Sequence, residues 1–395
     1  MPEQRSCSDG TVIAISILIG NKALEKADHE GWMDTRADVS GHSTYSFNEN
    51  LQYLRAVAAS AVMLYHAAHY VHGHLGPGLY DVFHHFLGLY GVAIFFALSG
   101  YLMATLAGKQ SAHHFLASRI ARIYPAMWIA TAIAAIVDPK RILPNLDIAA
   151  LGLVPAGPVF YALNVEWTLV HEMFFYVIVF AMIYMRGERY LPLLGLTWLM
   201  VLILRHDPSM PRIGRADLTQ IFFMNANAGF AAGLTIPFAL RFLPPMRWLL
   251  LIFFVAAVPI SYFYPATYAR TTAGIGAAFL VAAAAQNSAP LLSGWHARIM
   301  RNLGDWSYAM YLIHVPIILL VVRTMQLESL PEVTYMLCVT AAVLATIALG
   351  KLDIYIHAEA KKYIRFAPQQ TIVNRVNVFL LLYTFVAVIH LIRAG

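Results

Sequence analysis

Long apolar runs, each closed by a short polar or glycine- and proline-bearing break, repeat along this chain from about residue 50 to its end. Read as helices, they fall near 51–71, 84–106, 119–137, 166–185, 190–205, 218–240, 247–264, 270–286, 303–322, 334–350 and 376–393. Crossing the hydrocarbon core takes about 20 apolar residues, so most runs suffice, while 190–205 and 334–350 are short. The pattern predicts an all-α, polytopic transmembrane helical bundle occupying 48–395. Residues 1–47 break it: polar and acidic stretches surround TVIAISILIG, too short to span and without the basic flank of a secretory signal. They read as a poorly ordered polar extension, and a translation start near Met33 gives the same picture. The Pro- and Gly-rich stretch 138–165 reads as the longest outer loop, placed to cover an external opening.

Composition agrees with the pattern. Hydrophobic residues make up 59% and charged ones 12%, where a soluble domain carries roughly a quarter charged. The net charge of +6 does not point to nucleic acid, because the bases are scattered between spans instead of forming a tract. They are instead denser in alternate loops, such as those holding Lys109, Arg186, Arg189, Arg241, Arg247, Lys361 and Lys362, which puts the N-terminus on the cytoplasmic side. Cys7 and Cys338 are the only cysteines and lie far apart, suggesting neither a disulfide framework nor a metal site. No internal repeat favours a transporter built of two halves.

Polar groups inside the apolar runs carry the candidate chemistry. Arg55 and His66 share the run LQYLRAVAASAVMLYHAAHYV; eleven residues come to three turns, so both project from one helix face about 16 Å apart. Ionisable groups in a bilayer are costly and read as functional, although Arg55 at a membrane edge and His66 as a packing residue is the plainer account. Ser99 and Gly100 interrupt GVAIFFALSGYLM, either for close helix packing or for a ligand. Arg119 and Arg122 are one turn apart at an inner boundary, where two guanidiniums grip phosphate oxygens or simply mark topology. Glu172, with His171 and Trp167, lies near the outer start of its run at a depth compatible with His66; Glu166 is nearer the boundary and more easily solvated. In NLGDWSYAMYLIHVPIILL, Asp305 and Ser307 read as helix caps, with His314 inside the helix ahead of Pro316.

Five segments, in order LRAVAASAVMLYH, GVAIFFALSGYLM, RIARIYPAMW, WTLVHEMFFY and GDWSYAMYLIH, together resemble the membrane acyltransferase-3 family of bacterial O-acyltransferases, over about 50–365. The wording around QYLRAVAA, RIYPAMW and WTLVHEMFFY is most similar to the branch that modifies exopolysaccharides and lipid-linked sugars. The resemblance implies ten core spans, leaving 376–393 to cross as an eleventh, lie in the interface or pack onto the bundle, and marks Arg55, His66, Arg119, Arg122 and Glu172, with Ser99 and Tyr308 at less firmly assigned positions. Ala93 stands where the family often has an acid, and Glu359-Ala360-Lys361 where it has Glu-x-Pro.

What this implies is transfer of an acyl group, foremost acetyl, from cytoplasmic acyl-CoA to a carbohydrate or lipid-linked glycan hydroxyl, by a multi-pass protein of the bacterial inner membrane. Acyl-CoA is then a substrate and no resident cofactor is needed; a homo-oligomer is compatible. His66 serves as general base with Glu172 orienting it, while Arg119, Arg122 and Arg55 hold the donor, joined by Ser99 and Tyr308. An acyl-histidine intermediate is an alternative route. A flippase of lipid-linked sugars is the competing class, and a catalytically degenerate scaffold a third.

Overall fold

The computed structural model describes residues 48–83, 85–205, 215–263, 266–287, 289–325 and 330–394; the extension 1–47 with Cys7 and Met33 lies outside them. The described residues form an all-α membrane bundle. Its principal helices are α1 (Glu49–Leu75), α2 (His85–Leu106), α3 (Ala112–Val137), α4 (Trp167–Tyr184), α5 (Leu191–Leu204), α6 (Ala228–Ala239), α7 (Arg247–Phe263), α8 (Ala266–Ala285), α9 (Gly294–Asp305), α10 (Ser307–Met325), α11 (Pro331–Phe366) and α12 (Gln369–Ala394). Among the described residues, seven helices are long and apolar enough to cross a membrane by length and composition.

Three runs differ from the sequence expectation. The run 218–240 is not one helix: two short 3-10 turns precede α6. The cause is Asn227, whose amide donates to the Ile221 and Phe222 carbonyls at 2.7 and 3.2 Å and so ties the chain into a turn instead of a helical repeat. The run 303–322 divides into amphipathic α9 and membrane-buried α10, meeting at Trp306. The run 334–350 belongs to a helix of 36 residues, about 54 Å long and so well beyond a hydrocarbon core of about 30 Å.

Contacts at the helix ends fix how the elements alternate. Asn48 caps α1, its oxygen accepting from the Asn50 N–H at 3.0 Å, and its amide donates to the Ala284 carbonyl at the end of α8. At the opposite end of the bundle, Arg323 of α10 pairs with Asp138, which closes α3. The tightest pairing is α2 on α6. Gly100 rests on the α6 backbone around Phe230 and Gly233, and Gly229 and Gly233 rest on the α2 backbone at Ala93 and Ala97, so side chains there would separate the helices. Phe175 and Phe230 stack at 3.9 Å between α4 and α6. These contacts leave a central space among α1, α2, α3, α4 and α10.

Candidate functional site

A cavity of about 280 Å³ occupies that space. Arg55 enters it from α1, Ser99 from α2, Arg119 and Arg122 from α3, Glu172 and Tyr176 from α4, Ser307, Tyr308 and Tyr311 from α10, and His357 from α11. Six of the seven residues singled out in the sequence therefore line one cavity: Arg55, Ser99, Arg119, Arg122, Glu172 and Tyr308. Phe95, Phe96, Leu102 and Met103 make the rest of the wall apolar, so charges inside it act through a poorly screened medium.

The two arginines of α3 are not equivalent. Arg122 donates to the buried Asp353 carboxylate at 2.7 Å and lies 4.9 Å over the Tyr308 ring. Tyr308 is itself fixed, its hydroxyl donating to the Ile123 carbonyl at 2.7 Å; it shapes the wall with its ring instead of offering its hydroxyl. Arg119 donates to Ser118 Oγ at 3.3 Å and, among the described residues, forms no ion pair within 4.0 Å. The Ser99 and Ser307 hydroxyls are buried without a hydrogen-bond partner among the described residues. Unpaired buried hydroxyls are costly, and here both belong to cavity-lining side chains. The Ser99–Gly100 pair thus divides its labour, the glycine allowing helix contact and the serine lining the cavity.

His66 stands outside this lining, one turn beyond it. Gly88 and Gly91 of α2 pack on Tyr65 and on the Ala58–Val62 turn of α1 respectively, so the cavity-lining Val92 sits near Val62, and His66 lies a turn further from Arg55. Its ring partner is His314, with Nδ1 of His66 2.9 Å from Nε2 of His314. This differs from the expected pairing with Glu172, which instead accepts a hydrogen bond from Tyr176 four residues on and remains among the arginines. The physical reason is register: Ser307, Tyr311 and His314 recur at i, i+4 and i+7, one stripe of α10 running from the cavity toward His66.

That pairing assigns protons. His314 Nδ1 is 2.9 Å from the Met310 carbonyl, which only accepts, so Nδ1 carries the hydrogen. The neutral ring then accepts at Nε2, His66 must donate from Nδ1, and Nε2 of His66 is left with its lone pair. Tyr311, itself in the lining and one turn before His314, connects the cavity wall to this pair: its ring lies 6.0 Å from that of His314 and 5.9 Å from that of Phe95, while its hydroxyl contacts Thr168 at 2.7 Å.

Two further expectations change. Asp305 does not act as a cap for α10; it accepts from the Gln52 amide at 2.6 Å and so ties α9 to α1. Glu166 is 3% exposed, not solvated. It folds back to accept the Leu163 and Val165 N–H groups at 2.7 and 3.1 Å, and burial, only partly offset by those donors, pushes its carboxyl up to about 7. His171, next to Glu172, is directed elsewhere, with Nδ1 2.7 Å from Asn227 Oδ1. His314, Asp353 and His357 are the polar groups that sequence reasoning left without a role; only His314 lay in a quoted segment.

A family model described as an acyltransferase domain, acyltransferase-3, matches residues 48–350. The exopolysaccharide production protein ExoZ of Rhizobium meliloti (strain 1021) is 32% identical over 134 residues, covering 30% of this chain and 42% of that protein; the aligned part is thus less than half of the relative. No solved structure matches. The chain belongs to the acyltransferase-3 family, and seven of its described helices are long and apolar enough to cross a membrane.

Proposed function

We propose that this protein transfers an acyl group, foremost acetyl, from cytoplasmic acyl-CoA to a carbohydrate hydroxyl presented from the opposite side of the bacterial inner membrane. The observation that carries the reading is the juxtaposition of an arginine-bearing cavity with a histidine pair one helical turn beyond it. Arg119 and Arg122 suit the phosphates of CoA, and the apolar wall suits the pantetheine arm. Ser99 and Ser307 offer hydroxyl hydrogens to a carbonyl oxygen in the cavity, where charge develops as the thioester is attacked. Arg55 and Glu172 complete the charge set, with Glu172 offsetting the arginines.

A sugar hydroxyl is a weak nucleophile at neutral pH and needs a base. Nε2 of His66 takes the hydroxyl proton as the oxygen attacks the thioester carbon; the C–S bond breaks, CoA leaves as thiolate, and the proton passes from His66 to that sulfur. Through Nδ1–H, His66 remains bonded to His314 during the step, so the imidazolium forms without losing its anchor. Glycans with an exopolysaccharide or lipid-linked form are the acceptor class favoured by the likeness to ExoZ.

The test is a reconstituted assay with labelled acetyl-CoA, coupled to mass spectrometry of surface glycans from cells with and without the protein. The expected result is loss of glycan acetyl in the absence of the protein and a fall of about 10²–10⁴ in transfer for His66→Ala, the range ascribed to a general base. Arg119→Ala and Arg122→Ala weaken CoA binding. Absence of CoA binding to wild type, with both arginine variants active in cells, overturns the reading in favour of a flippase. Label held covalently by wild type and lost in His66→Ala points to an acyl-histidine route.

A further inference from the structure

The cavity has a wall on α11 that the donor reading does not use. Asp353 and His357 are one turn apart on that helix and both face the arginines of α3. Asp353 is 4% exposed and engages Arg122 at 2.7 Å. His357 lines the cavity wall, and its Nδ1 atom is buried with no hydrogen-bond partner among the described residues. Arg119, near enough to His357 to act on it electrostatically, has no carboxylate within ion-pair distance among the described residues. Three guanidiniums (Arg55, Arg119, Arg122) and one carboxylate (Glu172) line the cavity itself, while Asp353 and Asp305 interact with Arg122 and Arg55 from outside the lining.

Resting on the donor reading above, we infer that His357 and Arg119 form the seat for the phosphate that joins directly to the pantetheine arm, while Asp353 clamps Arg122 as a positioning residue. The division of roles follows from pairing. A guanidinium already bonded to a buried carboxylate and lying over Tyr308 is fixed in orientation and has fewer donors to give; Arg119 keeps donors beyond its bond to Ser118, and His357, whose ring also bonds the Ala121 carbonyl, donates from Nδ1 once it takes up a proton with the incoming phosphate dianion. The arm-proximal phosphate is the one concerned because Ser99 and Ser307, whose buried hydroxyls are unpartnered among the described residues, line the same cavity. A thioester held near them leaves the arm to run back toward α11, and the first anion met along it is that phosphate. The α11 pair was hidden in the sequence because the run was expected to end at 350 and the family's Glu-x-Pro position holds Glu359-Ala360-Lys361.

The experiment measures equilibrium binding of CoA, 4′-phosphopantetheine and pantetheine to the full chain in lipid nanodiscs, for wild type, Arg119→Ala, His357→Ala and His357→Gln. The expected result is that His357→Ala weakens both phosphate-bearing probes about tenfold, the loss of one charge-assisted hydrogen bond, and that Gln, which keeps a donor, recovers part of it. Pantetheine, without phosphate, binds wild type and His357→Ala alike. Thermal unfolding midpoints equal to wild type show that the variants fold; should His357→Ala be unstable, the Gln variant and its ratio of 4′-phosphopantetheine to pantetheine affinity decide. Weakening of CoA alone, with 4′-phosphopantetheine unaffected, overturns the assignment in favour of a more distant phosphate. Weakening by Arg119→Ala with no effect of either His357 substitution overturns the inference and leaves the donor reading standing; failure of wild type to bind any probe overturns the donor reading itself.

Discussion

His314 owes its role to a single proton. Because Met310 fixes that proton on Nδ1, the ring can accept from His66 only at Nε2, and this keeps Nε2 of His66 a lone-pair acceptor. Replacing His314 by Gln leaves a group that can accept or donate and no longer fixes the tautomer. Transfer is expected to fall about 100-fold, within the span of general-base effects, with a displaced pH–rate profile and unaltered CoA binding; an unchanged pH profile would show that His314 only fills space. Glu166 gives a second residue-scale expectation. Its carboxyl titrates near 7 in the folded chain against an ordinary 4.5, so the folded state holds the proton more tightly and this group's contribution to stability declines from pH 4.5 to about 7. Glu166→Gln is expected to flatten that part of the curve relative to wild type in thermal unfolding measured across the range. At this scale the sequence was informative wherever an ionisable group broke an apolar run, as with Arg55 and Glu172. It was silent where a role came from a neighbour's proton, as with His314, or from backbone folding back, as with Glu166.

Helix contacts decide whether those side chains converge. The approach of α2 to α6 depends on Gly100, Gly229 and Gly233, since a Cβ on Gly100 meets the α6 backbone, which cannot swing aside as a side chain can. Gly100→Val is therefore expected to lower stability by about 1–3 kcal/mol, the usual cost of overpacking, and to displace Ser99 from the cavity; thermal unfolding in detergent, read beside residual CoA binding, checks both. Most helices were legible in the apolar runs because length in a bilayer is set by hydrocarbon thickness. The exceptions were polar in origin. Asn227 bends the approach to α6 through bonds to two carbonyls, and α11 continues past the apolar run to carry Asp353 and His357 to Arg122, 231 positions away in sequence. Apolar periodicity alone has no means of announcing such a contact.

For the whole molecule, the proposed transfer requires donor and acceptor to reach one reaction centre from opposite faces, which ties the chemistry to orientation. Arg55 belongs to the α1 end stapled to the end of α8 by Asn48, while His66 is three turns along the same helix. In the orientation proposed from the bias of basic loops, the Arg55 end is cytoplasmic, and the cavity arginines then face the CoA pool while His66 approaches the outer side. Exposed Lys140, after α3, and Arg189, after α4, lie in loops assigned to opposite faces. In a Cys7→Ser background, Cys338 is fully buried and gives little labelling of its own. Lys140→Cys is expected to react with a membrane-impermeant maleimide in intact cells, or in spheroplasts where an outer membrane blocks the reagent. Arg189→Cys is expected to react only after the membrane is opened. The reverse pattern would place the arginine cavity away from cytoplasmic CoA, and the transfer direction proposed above would fail with it, whatever the fate of the histidine pair.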